Sequence, residues 1–259
     1  EPKAALLGTL LGDGCFTESV GGVFLSCADE LQIEWLNNYV AQWGLVFTKL
    51  KYHNGIYYRL SEASRQIKGR DLKTGRVTVN YNLAKQWLKS IGLYGKKSYE
   101  KFLPDCVYTW DNKAIGELLA GLFVTDGSVF TSGNGHAGIS YASTSRTLIE
   151  QVALLLSVRF GVHVAAINVQ SAGRKRPVYS FCLSKYEDIL RFSECVPLFG
   201  RKRALMDSLV KTYTVSRKFN SQVMRFVEKA PVGLLHVYDI EVDHPDHLFM
   251  LANGMIVSN

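Results

Sequence analysis

Two nine-residue stretches of the chain are near copies of each other. Leu6–Gly14 reads LLGTLLGDG, and Leu119–Gly127 reads LAGLFVTDG, 113 residues further on. The small residues of the two copies align, and so do their acids, Asp13 and Asp126. An internal repeat predicts two similar structural units before any other feature is considered. Each unit here carries one carboxylate at the same place.

The segments after the two copies also correspond. Each copy is followed by a strand-like run (Gly22–Cys27 and Gly138–Ala142) and then by a helical pattern (residues 31–40 and 148–160). Two further strands and a closing helix are predicted in each half, at 45–52, 56–60 and 83–91, and at 162–170, 178–183 and 189–196. The predicted fold class is therefore α+β, with αββαββα halves at 1–105 and 106–215 and a β-rich tail at 216–259.

The repeated stretch predicts a close contact between two helices. Gly8 and Gly12 form a smooth stripe at helical spacing, and Gly121 and Thr125 form its counterpart. Helices that pack along these stripes bring their acids together at the negative ends of two helix dipoles. Like charges placed there need a compensating cation, and Mg²⁺ prefers hard oxygen ligands. A helix that ends in Asp-Gly is a common cap and turn, but its duplication favours a metal site.

Charge and cysteine content narrow the class of protein. The formal net charge is +7; residues 1–105 hold 14 Lys and Arg against 10 acids, 106–215 hold 12 against 8, and 216–259 hold 4 against 5. Equal positive excess in both halves predicts a polyanionic partner such as nucleic acid. Five cysteines without a C-x-x-C pair indicate reduced thiols and a cytoplasmic protein. No apolar run is long enough for a membrane span.

The alternation within the strands predicts a polar sheet face that fits a DNA major groove. In 56–60, Tyr57 and Arg59 fall on one face and the apolar residues on the other. The same pattern is typical of any half-buried antiparallel sheet, and both interpretations stay open at this point. The candidate DNA contacts on the strands and their loops are Lys49, Lys51, Tyr57, Arg59, Arg70, Arg76, Asn168, Gln170, Arg174, Lys175 and Arg176.

Residues 3–213 resemble the single-chain LAGLIDADG homing endonucleases, because they contain the doubled motif and the matched segments that follow it. The resemblance implies two αββαββα halves that form a saddle over a long DNA target, and cleavage of both strands with divalent metal. It implies that Asp13 and Asp126 ligate two or three Mg²⁺ ions, assisted by the carbonyls of Gly12 and Thr125. It also implies a monomer that binds double-stranded DNA.

A second pattern points to the intein-encoded branch of that family. Gly95–Ser98 followed by Lys101–Pro104 resembles its G-x-K-S…K-x-I-P pattern before the second motif. By this match Lys101 is an active-site lysine, and Lys202 in Gly200–Arg203 is its predicted partner. A lysine near the scissile phosphate stabilises developing negative charge.

The tail resembles the C-terminal splicing segment of an intein. In VYDIEVDHPDHLFMLANGMIVSN, His247 and Asn259 match the splicing histidine and the terminal asparagine, whereas Ser258 replaces the usual histidine. The sequence begins at Glu1, directly before the first motif, so splicing is expected to need an N-terminal intein fragment as partner. Three alternatives stay open: an RNA-binding maturase, a DNA-binding regulator that does not cut, and a split-intein fragment that splices in trans.

Overall fold

The computed structural model describes residues 3–26, 29–52, 55–64, 67–70, 74, 77–79, 82–131 and 137–212, with short stretches between 230 and 258. The chain divides into two compact units, Glu1–Thr212 and Tyr213–Asn259. The first unit contains both copies of the repeated motif, and the second contains the tail.

The helices of the large unit follow the predicted order. They are α1 Ala4–Asp13, α2 Glu30–Val40, α3 Leu83–Ser90, α4 Asn112–Thr125, α5 Arg146–Phe160, α6 Tyr186–Cys195 and α7 Gly200–Thr212. Short 3₁₀ turns lie at Glu18–Val20, Ala41–Trp43, Ser98–Glu100 and Asp105–Thr109. The second helical segment of each half stops at a left-handed glycine, Gly44 (φ 65°) and Gly161 (φ 61°).

The described strands of this unit form two four-stranded antiparallel sheets and a small hairpin. The strands are β1 Gly14–Cys15, β2 Val23–Ser26, β3 Leu45–Tyr52, β4 Gly55–Glu62, β5 Ile67–Arg70, β6 Val77–Val79, β7 Gly127–Thr131, β8 Ala137–Ser143, β9 Asn168–Gln170 and β10 Val178–Leu183. The sheet orders are β1-β2-β4-β3 and β7-β8-β10-β9, and β5 pairs with β6. The equivalent orders confirm the predicted α+β class with two similar halves.

Helices α1 and α4 touch backbone to backbone along the predicted stripes. A Cβ on Gly8 would lie 1.9 Å from the Leu118 carbonyl oxygen, and one on Gly121 would lie 2.5 Å from that of Ala5. Both helices are mostly apolar and most of their residues are buried, as expected of helices at the centre of a domain. This contact fixes where the two helices end relative to each other.

Each sheet covers this helix pair with one apolar face. In the second half Phe123 of α4 contacts Tyr141 of β8, with ring centroids 5.1 Å apart, and Phe192 of α6 at 4.7 Å. In the first half Phe47 and Leu60 are buried opposite each other on β3 and β4. Each fully buried side chain of this size stabilises the fold by about 1.5–3 kcal/mol relative to its exposed state.

The prediction of a strand at 162–170 is wrong for most of that range. Only Asn168–Gln170 forms a strand, which pairs with β10. The reason lies in the buried Asp188 on α6. Its carboxylate accepts a hydrogen bond from the backbone N–H of His163 at 2.8 Å. A backbone donor satisfied by a side chain has no need of a strand ladder.

The small unit contains one described hairpin, β11 Leu248–Met250 paired with β12 Ile256–Ser258. The Asn253-Gly254 pair between two apolar runs predicts this hairpin, and the structure confirms it. The alternation in 238–243 predicts a further strand, but its described residues, 240–243, form none. Within the parts of the chain that the structure describes, no helix is long and apolar enough to cross a membrane.

Candidate functional site

The carboxyl ends of α1 and α4 bring the two repeated acids together. Asp13 is the last residue of α1, and Asp126 follows α4 as its C-cap. Burial raises the pKa of Asp126 to about 6, and the charge of Asp13 adds to the rise, although Lys101 and Lys202 oppose it. Burial also raises the pKa of Asp13 against the same two lysines. Two carboxylates that resist ionisation at adjacent helix ends form a site that favours a cation.

Lys101 closes the end of α1 from inside the protein. Its ammonium group donates to the carbonyl oxygens of Leu10 (3.1 Å), Leu11 (2.9 Å), Gly12 (2.9 Å) and Gly14 (2.9 Å). An ammonium has three protons, so four acceptors share them. The Leu10 oxygen also accepts the backbone N–H of Gly14, and the lysine satisfies the remaining carbonyls of this helix end while it offsets the negative dipole end.

Lys202 does the same for α4. It donates to Phe123 (3.0 Å), Val124 (2.6 Å), Thr125 (3.0 Å) and Gly127 (2.6 Å). Each acceptor is the counterpart, 113 residues later, of an acceptor of Lys101. Its neighbour Arg203 instead pairs with Asp207 at 3.0 Å. Lys202 is therefore the structural equivalent of Lys101 among the basic residues of this segment.

Each of the two lysines interacts electrostatically with both acids. Burial lowers the pKa of Lys101 to about 8, opposed first by Asp126 and then by Asp13. Burial also lowers the pKa of Lys202, opposed first by Asp13 and then by Asp126. Each lysine thus caps the helix of one acid and is attracted more strongly by the acid of the other helix.

The predicted carbonyl ligands are already engaged. The Gly12 and Thr125 oxygens each accept a hydrogen bond from a lysine ammonium. A carbonyl oxygen has two lone pairs, so one acceptor position remains on each. The two carboxylates are the strongest oxygen donors at this place. Among the described residues no group of three or more His, Cys, Asp or Glu side chains could hold a metal ion.

A pocket of about 320 Å³ opens beside Asp126. It is shared by the two halves, because Gly12 and Lys101 line it together with Asp126. Ser98, Ser143 and Thr144 add hydroxyl groups that the sequence analysis did not single out. Ser98 belongs to the quoted Gly95–Ser98 stretch, whereas the ends of β8 and β10 carry no signal of their own in the sequence.

The candidate DNA contacts of the first sheet fall on two different faces. Tyr57 and Arg59 lie on the face that is open to solvent, as predicted. Lys49 and Lys51, opposite Tyr58 and Ile56, lie on the other face of the sheet, although both side chains are exposed. Lys49 forms an ion pair with Glu30 at the start of α2. From the sequence, Lys49 and Lys51 are predicted to share one polar sheet face with Tyr57 and Arg59. That prediction is wrong, because Lys49 and Lys51 have the parity of the buried Leu45 and Phe47.

The candidates of the second sheet keep their predicted places. Asn168 and Gln170 are exposed on edge strand β9, on the face opposite the core. Arg174, Lys175 and Arg176 are exposed in the loop that joins β9 to β10. Arg176 lies over the ring of Tyr99, with its guanidinium carbon 3.5 Å from the ring centroid.

The remaining candidates are described in part or not at all. Arg70 lies on strand β5, and its side chain is outside the described part of the chain. Arg76 and Asn259 are outside the described residues. His247 has a left-handed backbone (φ 48°), and its Nδ1 lies 3.2 Å from the Val242 carbonyl oxygen.

The architecture is that of a LAGLIDADG-fold protein. Residues 113–197 match the LAGLIDADG-like domain family. The chain is 29% identical to protein RecA of Mycobacterium tuberculosis (strain ATCC 25618 / H37Rv) over 162 residues, which are 57% of this chain and 20% of that protein. It is 28% identical to replicative DNA helicase DnaB of Rhodothermus marinus over 217 residues, 81% of this chain and 22% of that one. The chain thus spans about a fifth of the length of these relatives.

Two solved structures share the fold. Full-length DUF199/WhiA from Thermatoga maritima superposes with a TM-score of 0.50 and 15% identity, covering 84% of this chain and 62% of that one. The homing endonuclease I-DmoI, in complex with DNA and Ca, gives 0.50 and 14%, covering 80% and 97%. At these identities the similarity shows the fold alone.

Proposed function

We propose that the protein is a site-specific endonuclease that makes a double-strand break in DNA with divalent metal ions. The observation that carries this proposal is the pair of carboxylates at the touching ends of α1 and α4, where burial and mutual charge raise the pKa of Asp126 to about 6. Two like charges at adjacent helix ends destabilise the fold, so stability does not explain why both acids are present. The similarity to DNA-bound I-DmoI supports the same function.

The proposed metal site would bind two or three Mg²⁺ ions. Asp13 and Asp126 would supply hard, negatively charged oxygens, and the Gly12 and Thr125 carbonyl oxygens each keep one lone pair beside their lysine hydrogen bond. Bound Mg²⁺ would polarise a phosphodiester and lower the pKa of water.

The lysines act on this centre by position. Lys101 fixes the end of α1 and Lys202 the end of α4, each through four carbonyl oxygens. Each also places a positive charge nearer to the acid of the opposite helix. Such fixed charges stabilise negative charge that develops on a phosphate without any rearrangement.

The open faces of the two sheets are the proposed DNA-binding surface. Tyr57 and Arg59 lie on the first, and Asn168 and Gln170 on the second. Arg and amide side chains on a sheet face read base edges in the major groove, whereas the exposed loop Arg174–Arg176 supplies positive charge for phosphates. The positive excess in both halves supports a polyanionic partner such as DNA.

An intein origin is part of the proposal. RecA and DnaB are different proteins, yet this chain matches about a fifth of each. A segment shared by two otherwise different proteins is what an insertion in both genes would produce. The tail resembles an intein end, with His247 and Asn259 in the splicing positions. Mixing the chain with an N-terminal intein fragment and looking for ligated product tests whether the tail still splices.

The test of the nuclease begins with a randomised duplex library, from which cleaved sites are selected in Mg²⁺. Asp13→Asn and Asp126→Asn are each expected to lower double-strand cleavage by roughly a thousandfold or more, since each removes a charged metal ligand. Binding of the selected duplex is expected to stay within about threefold. Asp207→Asn removes an exposed acid on α7 and serves as the matched control. Full cleavage by the Asp13→Asn/Asp126→Asn double variant would contradict the proposal.

A second candidate is a DNA-binding protein that does not cut. It is favoured by the engagement of the Gly12 and Thr125 carbonyls with lysine ammonium groups, which leaves fewer free oxygen ligands. A protein of this class would retain duplexes from the library and leave them intact with Mg²⁺ and with Mn²⁺. Competition between duplex DNA and folded intron RNA at equal salt tests the maturase alternative.

A further inference from the structure

The stacking of Arg176 on Tyr99 joins two parts of the molecule that are distant in sequence. Tyr99 lies in the 3₁₀ turn Ser98–Glu100, two residues before Lys101. Arg176 lies in the exposed loop that precedes β10. The guanidinium carbon is 3.5 Å from the ring centroid, which is direct contact of the planar group with the ring.

The stacked pair lies close in sequence to residues that line the pocket that holds Asp126. Ser98, the neighbour of Tyr99, lines this pocket, and so does Val178, two residues after Arg176. Lys101 and Asp126 lie in the same pocket wall. A ligand held by Arg176 would therefore lie next to the carboxylate centre and not at the far end of the sheet.

The guanidinium group of Arg176 can bind an anion. Within the described part of the chain, the ring contact is its one recorded interaction, and its N–H groups take part in no hydrogen bond or ion pair there. Five donors in a planar fork match two oxygens of a phosphate. Stacking on Tyr99 restricts the side chain before the ligand arrives, so less conformational entropy is lost on binding.

We propose that Arg176, held on Tyr99, binds one backbone phosphate of the DNA strand that enters the Asp126 pocket. This inference rests on the proposed endonuclease function. It separates Arg176 from Arg174, which is exposed in the same loop and for which no ring contact is described. Arg176 then binds at one defined phosphate, whereas Arg174 adds charge without a fixed position.

The test measures binding of the selected duplex across a range of salt concentrations, in the Asp13→Asn background so that the DNA stays intact. Arg176→Ala is expected to weaken binding about tenfold or more, because the loss of a hydrogen bond to a charged group has an effect of this size. It should also reduce the salt slope by about 0.9, the value for one phosphate contact. Arg174→Ala is the matched control and should weaken binding less.

Tyr99 variants separate the stacked site from a simple surface charge. Tyr99→Phe keeps the ring face and should bind like the parent, whereas Tyr99→Ala should weaken binding although no charge changes. Arg176→Lys should not restore binding, because an ammonium has neither the fork nor the planar stack. In a methylphosphonate scan of the target, neutralising one phosphate should abolish the difference between parent and Arg176→Ala.

The outcomes that overturn the inference are distinct from a failure of the proposed function. If the parent binds and cleaves duplex DNA while Arg176→Ala binds as tightly as Arg174→Ala, Arg176 is no phosphate site. If Arg176→Ala and Tyr99→Ala lower only the midpoint of urea unfolding, the stack is a structural contact between halves. If the parent selects no duplex from the library, the function and the inference both fall.

Discussion

The two halves share their sheet order and their helix ends, but they differ in the burial of the lysine caps and in the open faces of their sheets. Lys101 and Lys202 bind equivalent sets of four carbonyl oxygens. Yet Lys101 is only 4% exposed, whereas Lys202 is half-buried. The acceptors are backbone atoms whose positions follow from helix geometry, so they repeat with the fold. Burial depends on neighbouring side chains, and these have no reason to repeat.

The open sheet faces differ more. The first carries Tyr57 and Arg59, and Arg59 lies over the ring of Phe24 at 6.0 Å. The second carries small or uncharged residues, with Asn168 and Gln170 at its edge and its positive charge confined to the loop at 174–176. Equivalent helix ends between inequivalent faces suit equivalent chemistry on an asymmetric partner.

The largest effect is expected from the glycines that hold the helices together. Gly8→Ala would place a Cβ 1.9 Å from the Leu118 carbonyl oxygen, and Gly121→Ala one 2.5 Å from that of Ala5. Because backbone cannot yield, each should lower the free energy of unfolding by about 3 kcal/mol or more, measured by urea denaturation. Similar losses in both variants would support the equivalence of the two helices.

Gly12→Ala is the matched control for this contact. Its Cβ would meet Thr125 Oγ1 at 1.9 Å, a side-chain atom that can be removed. Because the Thr125 Cβ would also lie only 2.6 Å from the new Cβ, the whole side chain must go, and the Gly12→Ala/Thr125→Gly double variant should recover part of the stability that Gly12→Ala loses. A harmless Gly8→Ala would mean that the two backbones do not touch.

Removing the two lysine caps should destabilise the protein to different extents. Lys101→Met leaves four carbonyls of a buried helix end without their donor and should cost about 3 kcal/mol. Lys202→Met should cost about 1–2 kcal/mol, because water can reach the half-buried end of α4. Lys96→Met, at an exposed lysine of the same region, should stay within about 0.5 kcal/mol. Equal losses at 101 and 202 would contradict the unequal burial.

The sheet faces can be compared by binding of a selected duplex. Arg59→Ala should weaken binding about tenfold, since Arg59 lies on the open face of the first sheet. Lys49→Ala should leave binding nearly unchanged, because Lys49 is paired with Glu30 on the helix side. Gln170→Ala should have a smaller effect than Arg59→Ala, as it removes no charge. A stronger effect of Lys49→Ala would reverse the assignment of faces.

The smallest effect concerns the acids. The pKa of Asp126 is about 6 in the folded protein against 3.8 in its ordinary state. The folded state therefore binds more protons between these values, and the carboxylate lowers stability progressively as pH rises through that window. In metal-free buffer at pH 7.5, Asp126→Asn should raise the free energy of unfolding by about 1 kcal/mol, a value reduced by solvent screening. At pH 4 the gain should vanish, and a loss at pH 7.5 would refute the repulsion.

The sequence alone determined the two halves, the element order and the place of the acids. These follow from local patterns: the repeat of LLGTLLGDG as LAGLFVTDG, helical periodicity, and the glycine stops at Gly44 and Gly161. The glycine stripe could also be predicted, because it reports which face of a helix another backbone can approach. Such signals lie within a few residues of the feature they predict.

The tertiary structure decided what depends on distant partners. The sequence shows that Lys49 and Lys51 lie on the same face of their strand. Which side of the sheet that face takes is determined by pairing with β4 and by the contact with Glu30 on α2. The strand at 162–170 was shortened by Asp188, some 25 residues away. The acceptors of Lys202 and the stack of Arg176 on Tyr99 likewise join segments more than 70 residues apart. Side-chain partners of this kind are fixed by packing in three dimensions, and no pattern along the chain encodes them locally.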